Sequence, residues 1–528
     1  MPAGPLIGID IGSQQIKIAE LRPGKTGLTI TALGVGPTPV GVVQNNIITD
    51  PSAMGAAIKQ LMRESGITVK RAVGCITGQN AVVIRIIEVP RMTDAELKET
   101  MKWEVERHVP FAPSETMLDY QPLVPRTPEA ASGPNMEVLL AVAQQDAVSN
   151  YIDTLFAAGL DPVAIDIEPL AISRAILDLQ DGRPVARPQA PLGEPAFADG
   201  PEETVAIVNI GAANTDIAIF QGGQLTFPRS LPLAGDSLTR AIAEAMQYTM
   251  EQAEGVKRDY AVVQLDRMAV YTGTAYEEGY ETPQFQDEDH FNLNDDAADN
   301  PFDLNAQGAG FGDAFRTDTD SDVPLGGTAF GGGAAVYGEA SEADDLGRTQ
   351  PIERRTLNLA RSAPSDAPHA FVPPTDDLGF GLAGGGTSGG VDESKLRDDI
   401  FEAIAPVLGE LASEIRRSLD YYRSRGAQVS IDRVLLTGGS AGLTNLAAFL
   451  QNELQAPVTV ASALSALPVT SKHFDPSYLA TIGPAFTVAV GLAARDAVFG
   501  ANPLPKKPKP VKVAAGAVAG PSAAPPAS

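Results

Sequence analysis

Asp10, Gly12, Ser13, Gln14 and Lys17 fall within one short stretch, Leu6–Leu21 (LIGIDIGSQQIKIAEL), and together they are residue types that can hold a metal-bound phosphate. Ile7, Ile9 and Ile11 alternate with small or polar residues, and Ile16, Ile18 and Leu21 follow a polar turn. That pattern predicts two strands joined by a tight turn. Glycine and a hydroxyl at such a turn expose backbone N–H groups that can cradle an anion. Asp10, at the end of the first strand, suits a Mg²⁺ ion held through water, and Lys17 returns a positive charge to the same place. An ordinary hairpin carries the same signature, so the decisive question is whether a second copy exists.

It does. Val205–Leu225 (VAIVNIGAANTDIAIFQGGQL) is again strand, small-residue turn and strand, with Asn209, Gly211, Ala212 and Thr215 at the turn. Two such units about 200 residues apart form an internal repeat, and two hairpins can clamp a phosphate chain from opposite sides. Further on, Val434–Gly439 (VLLTGG) is a buried strand running into Gly438-Gly439, followed by Ser440. A double glycine lets a flat ring approach the backbone, because no side chain stands in the way.

The elements that must position these residues alternate between strand and helix. A helix is predicted over Asp50–Gly66 with Ser52 as its cap, strands over Ala72–Ile76 and Ala81–Val89, and a capped amphipathic helix over Thr93–Val109. In that last helix Trp103, the one tryptophan, is read as a core residue. Strands over Met117–Val124 and Met136–Ala143 and a helix over Asp146–Ala158 complete a small α+β insert. Pro162–Leu179 returns to strand and helix, Gly235–Asp259 is read as helical, and a long helix spans Ser394–Arg425. The expected organisation is a first half with its phosphate hairpin (1–90), the insert (91–162), a connecting strand and helix (163–182) and a linker (183–203). The second half (204–272 and 394–500) is interrupted by a Gly-, Asp-, Asn- and Pro-rich acidic insertion (273–393), and a Pro-, Ala- and Lys-rich tail (501–528) follows. The insertion has too little apolar residue to offset chain entropy and is expected to be disordered.

Composition narrows the function classes. A net charge of −27 over 528 residues argues against a nucleic-acid-binding surface, which needs basic groups to neutralise phosphates. The single cysteine, Cys75, excludes an internal disulfide and fits a reducing compartment, and the four histidines show no zinc-ligand spacing. Tyr478–Ala494 is uncharged but short for a membrane span and interrupted by Gly and Pro, so it reads as a buried core helix. No direct membrane insertion is expected.

The ordered parts of the chain resemble the superfamily of actin, sugar kinases and heat-shock chaperones. The resemblance implies an actin-like (ribonuclease-H-like) duplicated α/β fold that binds ATP and Mg²⁺. Asp10, Gly12, Ser13 and Lys17 match its first phosphate motif, and Asn209, Gly211 and Thr215 sit on the second. Glu168, in Glu168-Pro169, matches the connecting segment in which an acid or amide orients the attacking water. Glu254, Lys257 and Arg258, then Gly438, Gly439 and Ser440, match the adenosine-contacting segments. The second motif usually opens with an aspartate that helps order the metal's waters. Here that position is Asn209, which implies slow or absent hydrolysis. Within the superfamily the segments IGIDIGSQQIKIAEL, KWEVERHVPFAPSETMLDYQPL, IDIEPLAISRAI, GDSLTRAIAEAM and EIRRSLDYYRS are similar to those of the PilM family of type IV pilus assembly proteins. Part of that likeness lies in the α+β insert that this family shares with the cell-division protein FtsA. The resemblance implies a cytoplasmic scaffold that reaches the inner membrane through its partner, by binding the N-terminal peptide of a PilN-type membrane protein in a groove near the insert. Other pilus platform proteins and the assembly motor ATPases are further partners it suggests, and it leaves self-association open. The acidic insertion is not a usual part of the family. Two alternatives share the fold: an FtsA-like filament-forming protein, which would need an amphipathic anchor where this tail has prolines, and a small-molecule kinase, for which no base beside an acceptor hydroxyl is evident.

Overall fold

A computed structural model describes residues 4–24, 27–109, 111–125, 131–180, 183–184, 203–272, 392–424, 430–470 and 475–499. The acidic insertion (save its last residues), most of the 183–203 linker and the tail from Ala501 lie outside the described residues.

The chain opens with β1 (Leu6–Ile11), β2 (Gln15–Pro23) and β3 (Leu28–Pro37), followed by α1 (Pro51–Glu64) and β4 (Arg71–Ile76). An excursion follows through β5 (Val82–Pro90), α2 (Asp94–His108), β6 (Thr116–Pro122) and β7 (Asn135–Gln144). The chain then runs through α3 (Gln145–Ala157), β8 (Asp161–Ile167) and α4 (Glu168–Ile176). The second half comprises β9 (Thr204–Ile210), β10 (Thr215–Gln221), β11 (Gln224–Leu231), α5 (Gly235–Met246), α6 (Met250–Tyr260) and α7 (Leu265–Thr272). After the insertion come α8 (Glu393–Ser424), β12 (Arg433–Thr437), α9 (Leu446–Leu454), β13 (Val458–Val460), α10 (Pro476–Ile482), α11 (Thr487–Ala493) and α12 (Arg495–Phe499).

The two five-stranded sheets have one topology. The first runs β8-β4-β1-β2-β3 and the second β11-β10-β9-β12-β13. In each, three antiparallel meander strands are followed by two parallel ones: β1 pairs antiparallel with β2 and parallel with β4, and β9 pairs antiparallel with β10 and parallel with β12. Strands paired on both sides and covered on both faces are apolar throughout, and β9 (TVAIVNI) is buried at every position. In the first half, Ile7, Ile9, Ile16 and Ile18 pack against Ile58, Leu61, Met62 and Leu155 on one face. Ala19, Leu21 and Ile30 meet Phe486, Ala489 and Val490 on the other. This is the duplicated actin-like architecture. The last helices of the chain thus return to the first half, where a Cβ on Gly8 would lie 1.9 Å from Ala489 O, so only glycine lets α11 lie on β1.

A separate sheet, β5-β7-β6, carries α2 over a core of Val83, Ile87, Leu97, Met101, Val105, Val138 and Leu140. This sheet takes in β5, which precedes residue 91, whereas α3 packs on α1 and β8 of the first half. The Thr93–Glu96 capping box forms as the spacing predicts. Three expectations fail locally. The cap of α1 is Asp50, whose carboxylate accepts from Ala53 N at 2.9 Å with Pro51 at the first helical position, rather than Ser52. The Gly235–Asp259 helix is two helices, broken where Gln247 adopts φ 57° and Thr249 caps a new start. Trp103 is not core: Leu97, Met101 and Val105 share the buried face, and a residue two positions from Met101 points away, leaving Trp103 68% exposed.

Pro476–Ala493 is the one described helical run long and apolar enough to cross a membrane, and 56% of it is buried inside the fold. Its second half, α11, is buried at every residue against β1, β2 and α4.

Candidate functional site

The two hairpin turns are built alike. Gly12 N donates to Gln15 O at 3.0 Å, and Gly211 N donates to Asn214 O at 2.9 Å. A Cβ on either glycine would stand 3.0 Å from that carbonyl oxygen. Thr38 pins the first turn, its hydroxyl donating to Gly12 O at 2.7 Å. The second is pinned by Ser440, whose hydroxyl donates to Gly211 O at 3.0 Å, and by Gly235 N on the same oxygen. Sequence repetition therefore becomes geometric repetition, with one chemical difference. The strand partners before and after the first turn are Asp10 and Lys17, which form an ion pair at 3.1 Å. Their counterparts in the second hairpin are Asn209 and Asp216.

Both turns face one cavity of about 400 Å³. Asp10, Gly12, Ser13, Gln14 and Lys17 line it from the first half, with Glu168 at the start of α4. Asn209, Gly211, Ala212, Glu254, Lys257, Arg258, Gly438, Gly439 and Ser440 line it from the second. Thr215 does not: its hydroxyl donates to Leu233 O at 2.6 Å inside the core, tying β10 to the segment that leads into α5. Four wall residues that motif matching passed over are Asn46, Thr77, Asp216 and Asp236. Asp216 was legible as the cross-strand partner of Asn209. Asp236 follows Gly235 at the first turn of α5, where its N–H donates to Ala212 O at 2.8 Å and its carboxylate accepts from Gln14 at 3.3 Å.

The electrostatics are uneven along the cavity. Burial, then the nearby Asp216 and Asp10 carboxylates, push Glu168 well above the usual carboxylate range. Burial raises Asp216 to about 6. Burial also raises Asp236. The Glu168 carboxyl accepts a hydrogen bond from the Asn209 side-chain amide. On the far wall, Lys257 is fixed by Gly235 O at 3.0 Å, the Thr239 hydroxyl at 2.7 Å and Glu254 at 2.6 Å. Gly438 has φ +93°, and a Cβ there would lie 2.4 Å from Ile210 O, whereas a Cβ on Gly439 would meet nothing within 4 Å. The first glycine is thus required by the turn, and the second leaves open surface for a planar group.

Residues fit a nucleotide in two particulars. Ser13 Oγ is buried with no hydrogen-bond partner among the described residues, as expected of a hydroxyl aimed at a missing oxyanion. Gly439 leaves its backbone bare beside Ser440. Among the described residues no group of three or more His, Cys, Asp or Glu side chains could cage a metal. The donor set suits Mg²⁺ that keeps its waters and its phosphate oxygens, with Asp10 as the carboxylate carried by the first hairpin itself.

Fold and site together define an actin-like protein of the FtsA-like branch. A family model described as "Type IV pilus assembly protein PilM" matches residues 8–265, and one described as "Cell division protein FtsA" matches residues 206–490. The FtsA proteins of Streptococcus pneumoniae and Bacillus subtilis are 24% and 25% identical over 280 and 273 residues, covering 49% and 48% of this chain and 56% and 57% of theirs. The chain thus spans little more than half the length of these curated relatives. A solved structure titled "PilM-PilN type IV pilus biogenesis complex" superposes with a TM-score of 0.58 at 23% identity, covering 94% of this chain and 99% of that one. Over residues 8–265 the chain is thus similar to the PilM family of type IV pilus assembly proteins.

Proposed function

We propose that this chain is a cytoplasmic ATP-binding scaffold of the type IV pilus inner-membrane platform, which holds the N-terminal peptide of a PilN-type membrane protein. The observation that carries the nucleotide half of this reading is the pair of matching turns facing one cavity with the bare Gly439 backbone at its wall. The PilM family match over residues 8–265 and the likeness to the PilM–PilN complex support the partner half.

On this reading the backbone N–H groups of Ser13, Gln14, Ala212 and Ala213 and the Lys17 ammonium bind the phosphates of ATP, and Asp10 holds Mg²⁺ through water. Gly438, Gly439 and Ser440 form the wall for the base, and Glu254, Lys257 and Arg258 that for the sugar. Bound Mg²⁺ neutralises phosphate charge. Hydrolysis is slow or absent, because Asn209 offers no charge to the metal's waters. The protein sits at the inner face of the membrane through its partner rather than by insertion. The two five-stranded sheets with the helices that cover them act as the two jaws, and the β5-β7-β6 sheet with α2 acts as the docking insert.

The test is titration with the cytoplasmic N-terminal peptide of the pilus membrane partner, with and without Mg-ATP. Saturable binding that changes with ATP supports the scaffold. ATP binding without peptide binding favours the second reading, an FtsA-like filament-forming protein, for which the FtsA match over residues 206–490 speaks.

A further inference from the structure

We propose that Glu168 is a positioning residue that latches the two halves together at the back of the cleft, with the Asn209 amide as its catch. Glu168 opens α4 in the first half, and Asn209 lies on β9 in the second. The Asn209 side-chain N–H donates to Glu168 Oε1, and both residues are nearly removed from water, at 5% and 8% exposure. A hydrogen bond there meets little competition from solvent, and removing one partner strands the other. The Glu168 carboxyl is also close to Asp216, the direct strand partner of Asn209. The first half therefore seats one carboxyl against a matched pair of side chains on the second.

Apart from the contacts that seat the chain from Pro468 onward on the first half (Ile30 N to Pro468 O, Arg71 to Asp496, Arg174 to Gly491 O), Gln14 and Gln79 make polar contacts between the halves that are of a different kind. Gln14 reaches Asp236 at the exposed mouth at 3.3 Å, and Gln79 donates to Ser230 O beside the insert. Neither joins two buried side chains. The latch as seen uses the amide at 209 as donor, since a carboxylate there has no N–H to give to Glu168 Oε1. An oxygen occupied by the Asn209 amide is also not free to orient water. The same contact thus joins the two walls of the cleft and leaves Glu168 only its remaining acceptor sites for the role that the family resemblance gives it.

The inference concerns the ligand-free protein, so it is tested without nucleotide. Spin labels on Lys59→Cys in α1 and Glu244→Cys in α5, both exposed, report the distance between the halves by double electron–electron resonance in the full chain. Wild type is expected to give one narrow distribution. Glu168→Ala is expected to broaden and lengthen it, and Glu168→Gln, which keeps the acceptor oxygen, to restore it. Asn209→Ala removes the same bond from the other side and supplies the test if Glu168→Ala does not fold. A wild-type distribution in both alanine variants overturns the latch, as does a Glu168→Gln variant that opens like alanine. Wild-type protein that holds the narrow distance yet binds no Mg-ATP overturns the nucleotide reading and leaves the latch standing.

Discussion

Asp10 and Asp216 stand at the strand ends of the two hairpins and face different tasks. Asp10 pairs with Lys17 at 3.1 Å with both side chains partly exposed, 14% and 13%. Such a pair adds little to stability, about 1 kcal/mol or less. Asp10→Asn is therefore expected to leave the melting temperature nearly unchanged while weakening Mg-ATP binding roughly tenfold or more, about 1.4 kcal/mol. Calorimetric titration checks this, and unchanged affinity removes Asp10 from the site. Asp216 carries a stability term instead. Its folded value of about 6 lies above the ordinary 3.8, so the folded state holds the proton more tightly than the unfolded chain. The resulting stability is complete below the ordinary value and is lost as pH rises through about 6. Glu168, raised chiefly by burial, carries the same sign. Melting temperature in the absence of nucleotide is thus expected to fall over that window, and Asp216→Asn to flatten the fall. A wild-type profile in the variant refutes the assignment. Much of this site was legible because residue types cluster at turns, where short motifs suffice. Thr215 was misplaced for a physical reason: at the first position of β10 its side chain alternates into the core, and only strand register reveals that.

At the scale of elements, period and caps made the helices and central strands readable, and partners were what the sequence concealed. β11 is hard to read because Pro228 interrupts its pattern, whereas β3 alternates cleanly over Leu28–Thr31 and was legible though not predicted. Trp103 was misread because composition says that tryptophan is buried, whereas the spacing Leu97, Met101, Val105 already assigned the buried face. The crossing of α4 and α11 was invisible in the sequence, since nothing local marks helices whose contacting residues lie 317 positions apart as neighbours. There a Cβ on Gly491 would lie 1.7 Å from Ala171 O, and Gly491 O accepts from the fully buried Arg174 guanidinium at 3.0 Å. The obstacle is backbone, which cannot turn aside as a side chain would. Gly491→Ala is expected to destabilise the protein by about 1–3 kcal/mol, the ordinary range for overpacking a core. Chemical denaturation measures it. A variant as stable as wild type would show that the two helices can separate freely.

For the whole molecule, the long insertion is a question of how the chain leaves and re-enters the fold. It departs from α7 and returns into α8, and those two helices pack together without it. Arg267 pairs with Asp398 at 3.3 Å and Glu402 at 2.7 Å and lies over the Phe401 ring, 5.0 Å from its centroid. Gln264 donates to Asp398 at 2.8 Å. The helices run in the same direction: Gln264 lies by Asp398, while Tyr271 O would stand 2.7 Å from a Cβ on Gly409. The exit at Thr272 is thus beside the middle of α8, about 16 residues past its start at Glu393. At 1.5 Å per residue the return path is roughly 24 Å. An extended chain covers that in about seven or eight residues, and rounding the helix end adds a few more. Replacing residues 275–390 by about twelve glycine and serine residues is therefore expected to keep a cooperative melt and Mg-ATP binding. A direct junction of two or three residues is too short to reach and is expected to strip the first turns of α8 from Arg267 and Gln264. Equal melting of both deletions would mean that the α7–α8 contacts contribute nothing. Loss of the cooperative melt with the long linker would make the insertion a part of the core, which its composition argues against.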